Sequence, residues 1–168
     1  RQREQRAEID ALNERWSDFR LLQGCELEIK ADGSLDLPDD VLARLDLVVA
    51  SLHTSQRQDR EQITRRMLNA VTSPYVDVIG HPSGRILGQR EESAVDLDAV
   101  IDAAAAAGTA LEVNSTPSRL DLDDVHVRRA IRLGVKIAIN SDAHHPAGLD
   151  NLAYGVATAR RGWATAGD

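Results

Sequence analysis

Apolar and polar positions follow two different periods along this chain. Near the start, Ile9, Leu12 and Trp16 recur at spacings of three and four among charged residues, which predicts a helix from Arg1 to about Arg20. CELEIK (25–30) alternates at every second position and predicts a strand. LVVASL (47–52), VDVIG (76–80), ALEVN (110–114) and VKIAIN (135–140) are short apolar runs of strand length. Helical patterns fill the intervals. A short one starts at Pro38 and ends near Leu45. Arg57 to Ser73 puts Ile63, Met67, Leu68 and Val71 on one face. Leu97 to Ala107 is closed by Gly108, Leu122 to Leu133 is closed by Gly134, and Leu149 to Arg161 forms the last helix. The predicted strands end at intervals of 22 to 34 residues, the length of one strand–helix unit. An α/β fold with a parallel sheet or barrel follows.

Parallel α/β folds collect their chemistry at the carboxyl ends of the strands. There this chain places His53 after LVVASL, His81 after VDVIG, Asn114 at the end of ALEVN, and Asp142 and His144 after VKIAIN. In CELEIK, alternation puts Glu26 and Glu28 on one face and Cys25, Leu27 and Ile29 on the other. Each residue has an ordinary reading of its own: a hydrogen-bonded structural histidine at His53, a turn at His81, an ion pair with Lys30 for Glu26, a helix cap for Asp142. Taken together, Glu26, His53, His81, Asp142 and His144 are oxygen and nitrogen donors gathered at one rim, a set suited to Zn or Mn. Arg85 and Arg119 lie in loops at the same rim, where a guanidinium binds a phosphate oxygen or closes a surface ion pair. His126 and His145 read as surface residues and Cys25 as a small core residue.

Composition narrows the field. With 168 residues the chain is long enough for one domain with a sizeable core. Aromatic residues make up only 3%, which leaves no platform for stacking bases. The net charge of −7 argues against binding nucleic acid by protein cations alone, but bound metal ions can supply the missing positive charge. A single cysteine excludes an internal disulfide framework and fits a reducing, cytoplasmic setting. No apolar run reaches membrane-spanning length. Serine nucleophile elbows, Walker loops and dinucleotide-binding glycine motifs are absent.

The order GCELEIKADGSLDLPDDVLARLDLVVASLH, VIGHPSGR, ALEVNSTPSRLDL, INSDAH and finally YGVATARRGW resembles the PHP (polymerase and histidinol phosphatase) domain of bacterial family X DNA polymerases over residues 20 to 165. The resemblance implies a distorted (β/α)7 TIM-like barrel with a cluster of up to three Mn or Zn ions at its rim. Glu26 would bridge two of them. His53 and His81 would complete one site, Asp142 would bind the second metal and His144 the third. Glu26, Asp142 and His144 would serve catalysis. The implied activity is 3′–5′ exonuclease trimming of DNA ends in repair, with a polymerase domain in the parent chain.

The family's opening His-x-His motif and the Asp-His pair of its second strand do not occur before Glu26. On this reading residues 1–168 are a PHP domain truncated at its N-terminus, about five of seven β/α units, with residues 1–20 as a connecting helix. The Glu26–His53–His81 site is then the one that keeps three protein ligands. An open barrel of this kind would expose two sheet edges and an apolar interior and would be prone to self-association. Two rival functions stand beside the exonuclease: a histidinol-phosphatase-like enzyme acting on small phosphomonoesters, and a non-catalytic scaffold.

Overall fold

The computed structural model describes residues 2–168; Arg1, where the sequence starts its first helix, lies outside the described residues. The order is α1 (Gln2–Asn13), β1 (Gly24–Glu28), α2 (Asp39–Leu42), β2 (Leu47–Ser51), α3 (Arg60–Val71), β3 (Val78–Ile79), α4 (Leu97–Ala107), β4 (Ala110–Asn114), α5 (Asp124–Arg132), β5 (Ile137–Asn140), a 3-10 turn (Pro146–Asn151) and α6 (Leu152–Arg161). The five strands form one sheet in the order β1-β2-β3-β4-β5, and every neighbouring pair is parallel. Because the strand order never reverses, right-handed crossovers place successive helices on the same face. This is the curl of a partial TIM-like barrel, whereas a doubly wound sheet would reverse its order and cover both faces.

Strand alternation divides the sheet chemically. One face carries Leu27, Ile29, Val48, Ala50, Leu52, Ile79, Leu111 and Val113, all buried in a common core with Ile63 and Met67 of α3, Val100 and Ile101 of α4, and Val127 and Ala130 of α5. Each of the larger side chains stabilises the fold by about 1.5–3 kcal/mol through lost water contact. The opposite face carries Glu26 level with Val49 and Val78, Glu112 level with Ala138, and Asn114 level with Asn140. The expected apolar interior is therefore interrupted by carboxylates at the same levels as its apolar residues, and at the Asn114–Asn140 level it is polar.

Helix ends follow local capping. Asp59, Asp96 and Asp123 each accept a backbone N–H of the first turn, from Gln62, Ala99 and His126 respectively. Gly108 ends α4 with φ of 81°, a conformation that costs glycine little. Several boundaries differ from the sequence reading: α3 starts at Arg60 rather than Arg57 and β3 is only Val78–Ile79, and three others have a visible local cause. The first helix stops at Asn13, whose side chain exchanges hydrogen bonds of 2.9 and 2.7 Å with the Leu21 backbone. Beyond it Trp16 and Phe19 are exposed, so the apolar spacing continues without a surface to bury it. α5 starts two residues after Leu122, because Leu122 still belongs to the segment bound to β4 through the Glu112 carbonyl (2.9 Å). The last helix is preceded by the 3-10 turn, which takes up Leu149.

Candidate metal centre

Side chains from three adjacent strands and the loops after them converge. Glu26 points from β1 onto the polar face, His53 follows β2 by two residues and His81 follows β3 by two residues. Parallel register sets Glu26 level with Val49 and Val78, so His53 and His81, further along β2 and β3, meet Glu26 only through their side chains. The imidazole Nε2 of His81 lies 3.1 Å from Glu26 Oε1, and His53 Nε2 lies 3.3 Å from the same oxygen. One donor atom from each of the three residues lies within 4.8 Å of the other two, the only such cluster among the described residues. Gly80 makes the convergence possible, since a Cβ there would meet Ser51 Oγ at 2.3 Å.

The supporting contacts fix these side chains. Glu28 Oε2 sits 3.0 Å from His53 Nδ1 and accepts the His53 backbone N–H at 2.9 Å, while its other oxygen accepts the Thr54 hydroxyl at 2.8 Å. A carboxylate on Nδ1 fixes the imidazole tautomer and leaves Nε2 free to bind a metal. Arg66 of α3, itself buried, donates to the Lys30 carbonyl (2.8 Å) and the Ser55 carbonyl (3.1 Å), tying the end of β1 to the loop after β2. His81 is only 3% exposed and adopts φ of 29°, a strained conformation for a non-glycine residue. Its backbone N–H is held by Glu112 Oε2 at 2.5 Å.

Charge follows this geometry. Hydrogen bonds with His53, then His81, hold the Glu26 carboxyl far below the usual carboxylate range. Its hydrogen bond to Glu26 raises the pKa of His53. Burial acts first on Glu28 and would raise it, but the hydrogen bonds from Thr54 and His53 win and lower it. Burial does dominate at Glu112, which is raised in spite of the hydrogen bonds from Asn140 and the His81 backbone. The centre is thus anionic and compact, and its oxygen and nitrogen donors fit a Zn- or Mn-type ion.

The other expected residues are placed differently. Asp142 accepts a hydrogen bond from Asn114 Nδ2 at 3.1 Å and adopts φ of 52°. His144 is 83% exposed, with Nδ1 2.9 Å from the Asp142 carbonyl oxygen. Neither belongs to the Glu26–His53–His81 cluster. The Arg85 guanidinium donates to the backbone carbonyls of Arg119 (3.0 Å) and Leu120 and lies 3.4 Å from Glu92, so it braces the rim loops. Arg119 Nη1 is buried without a hydrogen-bond partner. His126 pairs with the capping Asp123 (2.8 Å), His145 begins the 3-10 turn, and Cys25 packs half-buried at the core, all away from the cluster.

Sequence reasoning missed Glu112 and Asp121. Glu112 lies on the polar face of β4 and joins His81 to β5 through Asn140 Nδ2 (2.8 Å). The signal was present, since a glutamate inside ALEVN two residues before Asn114 must share its face. Asp121 is fully buried and anchors the loop after His81 by accepting N–H bonds from Ser83 (3.1 Å) and Gly84 (2.9 Å). No residue pattern around it marks it out.

No family model matches the chain. Among curated proteins it is 45% identical to the DNA polymerase/3′-5′ exonuclease PolX of Bacillus subtilis, over 97% of this chain and 29% of that protein. The similarity takes in nearly the whole of this chain, including the motifs around Glu26, His53 and His81. Other relatives include a probable phosphatase of a Thermoanaerobacter species, 36% identical over 81% of this chain and 57% of that protein. A probable phosphatase of Caldanaerobacter subterraneus is 33% identical, again over 81% of this chain and over 55% of its own length. The chain thus spans less than a third of the Bacillus protein and just over half of the phosphatases.

Proposed function

We propose that this chain is the metal-dependent phosphoesterase part of a PolX-type DNA repair protein, hydrolysing phosphodiester bonds at DNA 3′ ends. The observation that supports it best is the convergence of Glu26 of β1 with His53 and His81, just past β2 and β3, within 4.8 Å, in a chain so similar to a PolX protein. Glu26, His53 and His81 would hold a divalent Mn or Zn ion. Such an ion, when bound, supplies Lewis acidity and lowers the pKa of a coordinated water.

The chain's own residues do the rest. Glu28 orients His53, Glu112 fixes the backbone of His81, and Glu26 keeps its charge at all ordinary pH values. Asp142 and His144 serve further metal positions at the same rim, on the side of β5. Arg119 offers the phosphate an unsatisfied donor, and Arg85 acts on the phosphate through Arg119, whose carbonyl it holds. The polymerase domain of the parent protein and DNA ends are the partners of this reading, in a cytoplasmic setting. No helix among the described residues is long and apolar enough to cross a membrane. The edges of β1 and β5 are open to pairing, and a second copy is the proposed cover. A sedimenting species that stays monomeric at high concentration contradicts that cover.

Release of 3′ nucleotides from labelled single- and double-stranded DNA with Mn tests the main reading, with Glu26→Gln as the inactive control. The relatives described as probable phosphatases favour a second reading, small-molecule phosphomonoester hydrolysis. Turnover of phosphomonoesters with intact DNA ends establishes the second reading and rejects the first.

A further inference from the structure

The loops that follow β2 and β3 enclose a cleft of about 550 Å³ beside the metal centre, and His53, Arg57 and Arg90 line it. Arg57 is exposed and makes no hydrogen bond or ion pair among the described residues. Arg90 commits Nε to the Gly84 carbonyl at 2.9 Å, which fixes the direction of its guanidinium and leaves both terminal nitrogens without a described partner. After burial, the charge of nearby Arg119 is the next cause lowering the pKa of Arg90, and the Asp121 carboxylate acts in the opposite direction. The buried Nη1 of Arg119 makes no hydrogen bond. Asp121 offsets part of the repulsion between these two guanidinium groups, but its oxygens accept from the Ser83 and Gly84 backbone and the Arg119 donor stays unpaired, so a further anion there is favourable. The two carboxylates of the cleft do not fill that role. Glu92 pairs with Arg85, and neither Glu91 nor Glu92 is within ion-pair distance of Arg57 or Arg90.

We propose that Arg90 and Arg119, with Arg57 on the opposite loop, form an anion subsite that holds a phosphate group of the substrate beside the Glu26–His53–His81 centre. The inference rests on the phosphoesterase reading and adds binding residues to it. A guanidinium fork matches two phosphate oxygens at once, and an Arg90 already fixed through Nε loses little freedom on binding. The cleft is several times larger than one phosphate, so it takes the phosphate with part of the group esterified to it.

Inorganic phosphate is the probe, titrated into metal-free protein in a chelating buffer and followed by phosphorus NMR. Arg90→Gln and Arg119→Gln are each expected to weaken phosphate binding by about tenfold or more, and Arg57→Gln by about threefold. Arg90→Lys should recover part of the loss, because it keeps the charge without the fork. Circular dichroism checks folding, and Arg57→Gln removes no internal contact, so it remains informative if the other variants unfold. Affinities within twofold of wild type for all three glutamine variants, or no binding by wild type at tens of millimolar phosphate, overturn the subsite. Arginine-dependent phosphate binding without phosphoester turnover by the Mn-loaded protein removes the phosphoesterase reading and leaves the subsite standing. Turnover with an unchanged KM in Arg90→Gln does the reverse.

Discussion

The two halves of the rim are built from the same kinds of residue and behave differently. On the β1–β2–β3 side, Glu26, His53 and His81 lie with their donor atoms within 4.8 Å of one another, and each has a contact that fixes it. On the β4–β5 side, Glu112 and Asp142 are separated by amides. Asn114 donates to Asp142 at 3.1 Å and Asn140 donates to Glu112 at 2.8 Å, while His144 stands exposed. Carboxylates next to amide donors are already satisfied. Carboxylates next to imidazole Nε2 atoms form a ligand set. Which strand end a residue occupies matters less than what faces it across the register.

The difference can be broken most severely at Glu26. Glu26→Gln is expected to weaken binding of one equivalent of Zn or Mn by more than about 100-fold in calorimetric titration, whereas Asp142→Asn changes that same equivalent by less than about tenfold. Equal losses in the two variants would erase the distinction between the halves. Glu28→Ala touches no metal in this arrangement, yet it removes the anchor of His53 Nδ1, so a loss of about 10–100-fold in metal affinity is expected with the fold intact. An unchanged affinity would mean that His53 needs no orienting partner.

Glu112 links the halves. Glu112→Leu leaves the His81 N–H and the Asn140 amide without their acceptor, and urea denaturation should show a loss of about 1–3 kcal/mol. The smallest effect belongs to a pair outside both halves. Burial alone would raise the Asp123 carboxyl, but the side-chain and backbone hydrogen bonds from His126 outweigh it and hold Asp123 at about 2, below its ordinary 3.8. His126 is raised above its ordinary 6.5 by the hydrogen bond to Asp123. The pair's contribution is therefore complete between pH 3.8 and 6.5, falls as pH drops through about 2, and falls at the other end as pH rises through the elevated His126 value. His126→Gln should flatten the alkaline arm of the stability profile by about 0.3–1 kcal/mol while leaving metal affinity at the rim unchanged.

This contrast also marks where the sequence was informative. Strand ends were legible, because short apolar runs stop where polar residues begin; His53 and His81 were singled out by that rule, and Glu26 by alternation within its strand. Their gathering at one rim was expected too, but the grouping of these three into one site came from the resemblance, since it depends on a strand order and register that no local pattern encodes. Glu112 was overlooked because its neighbours in ALEVN are apolar, although period two places it beneath Asn114. The constraint on His81 was equally hidden. The sequence shows a turn after VDVIG, but the strained backbone there is held by a carboxylate 31 residues further on. Arg85 and Arg119 read alike from their loops, and only the packing separates the brace from the free donor. Helix ends were legible to within a few residues where an aspartate caps them, and poorly so at α1, where the apolar spacing outlasts the surface available to bury it.

An anomalous difference map from a crystal of the chain loaded with Mn or Zn tests the central claim most directly. The expected result is a dominant peak within coordination distance of Glu26, His53 and His81. A dominant peak at Asp142 and His144, with none between Glu26 and the two histidines, would contradict it.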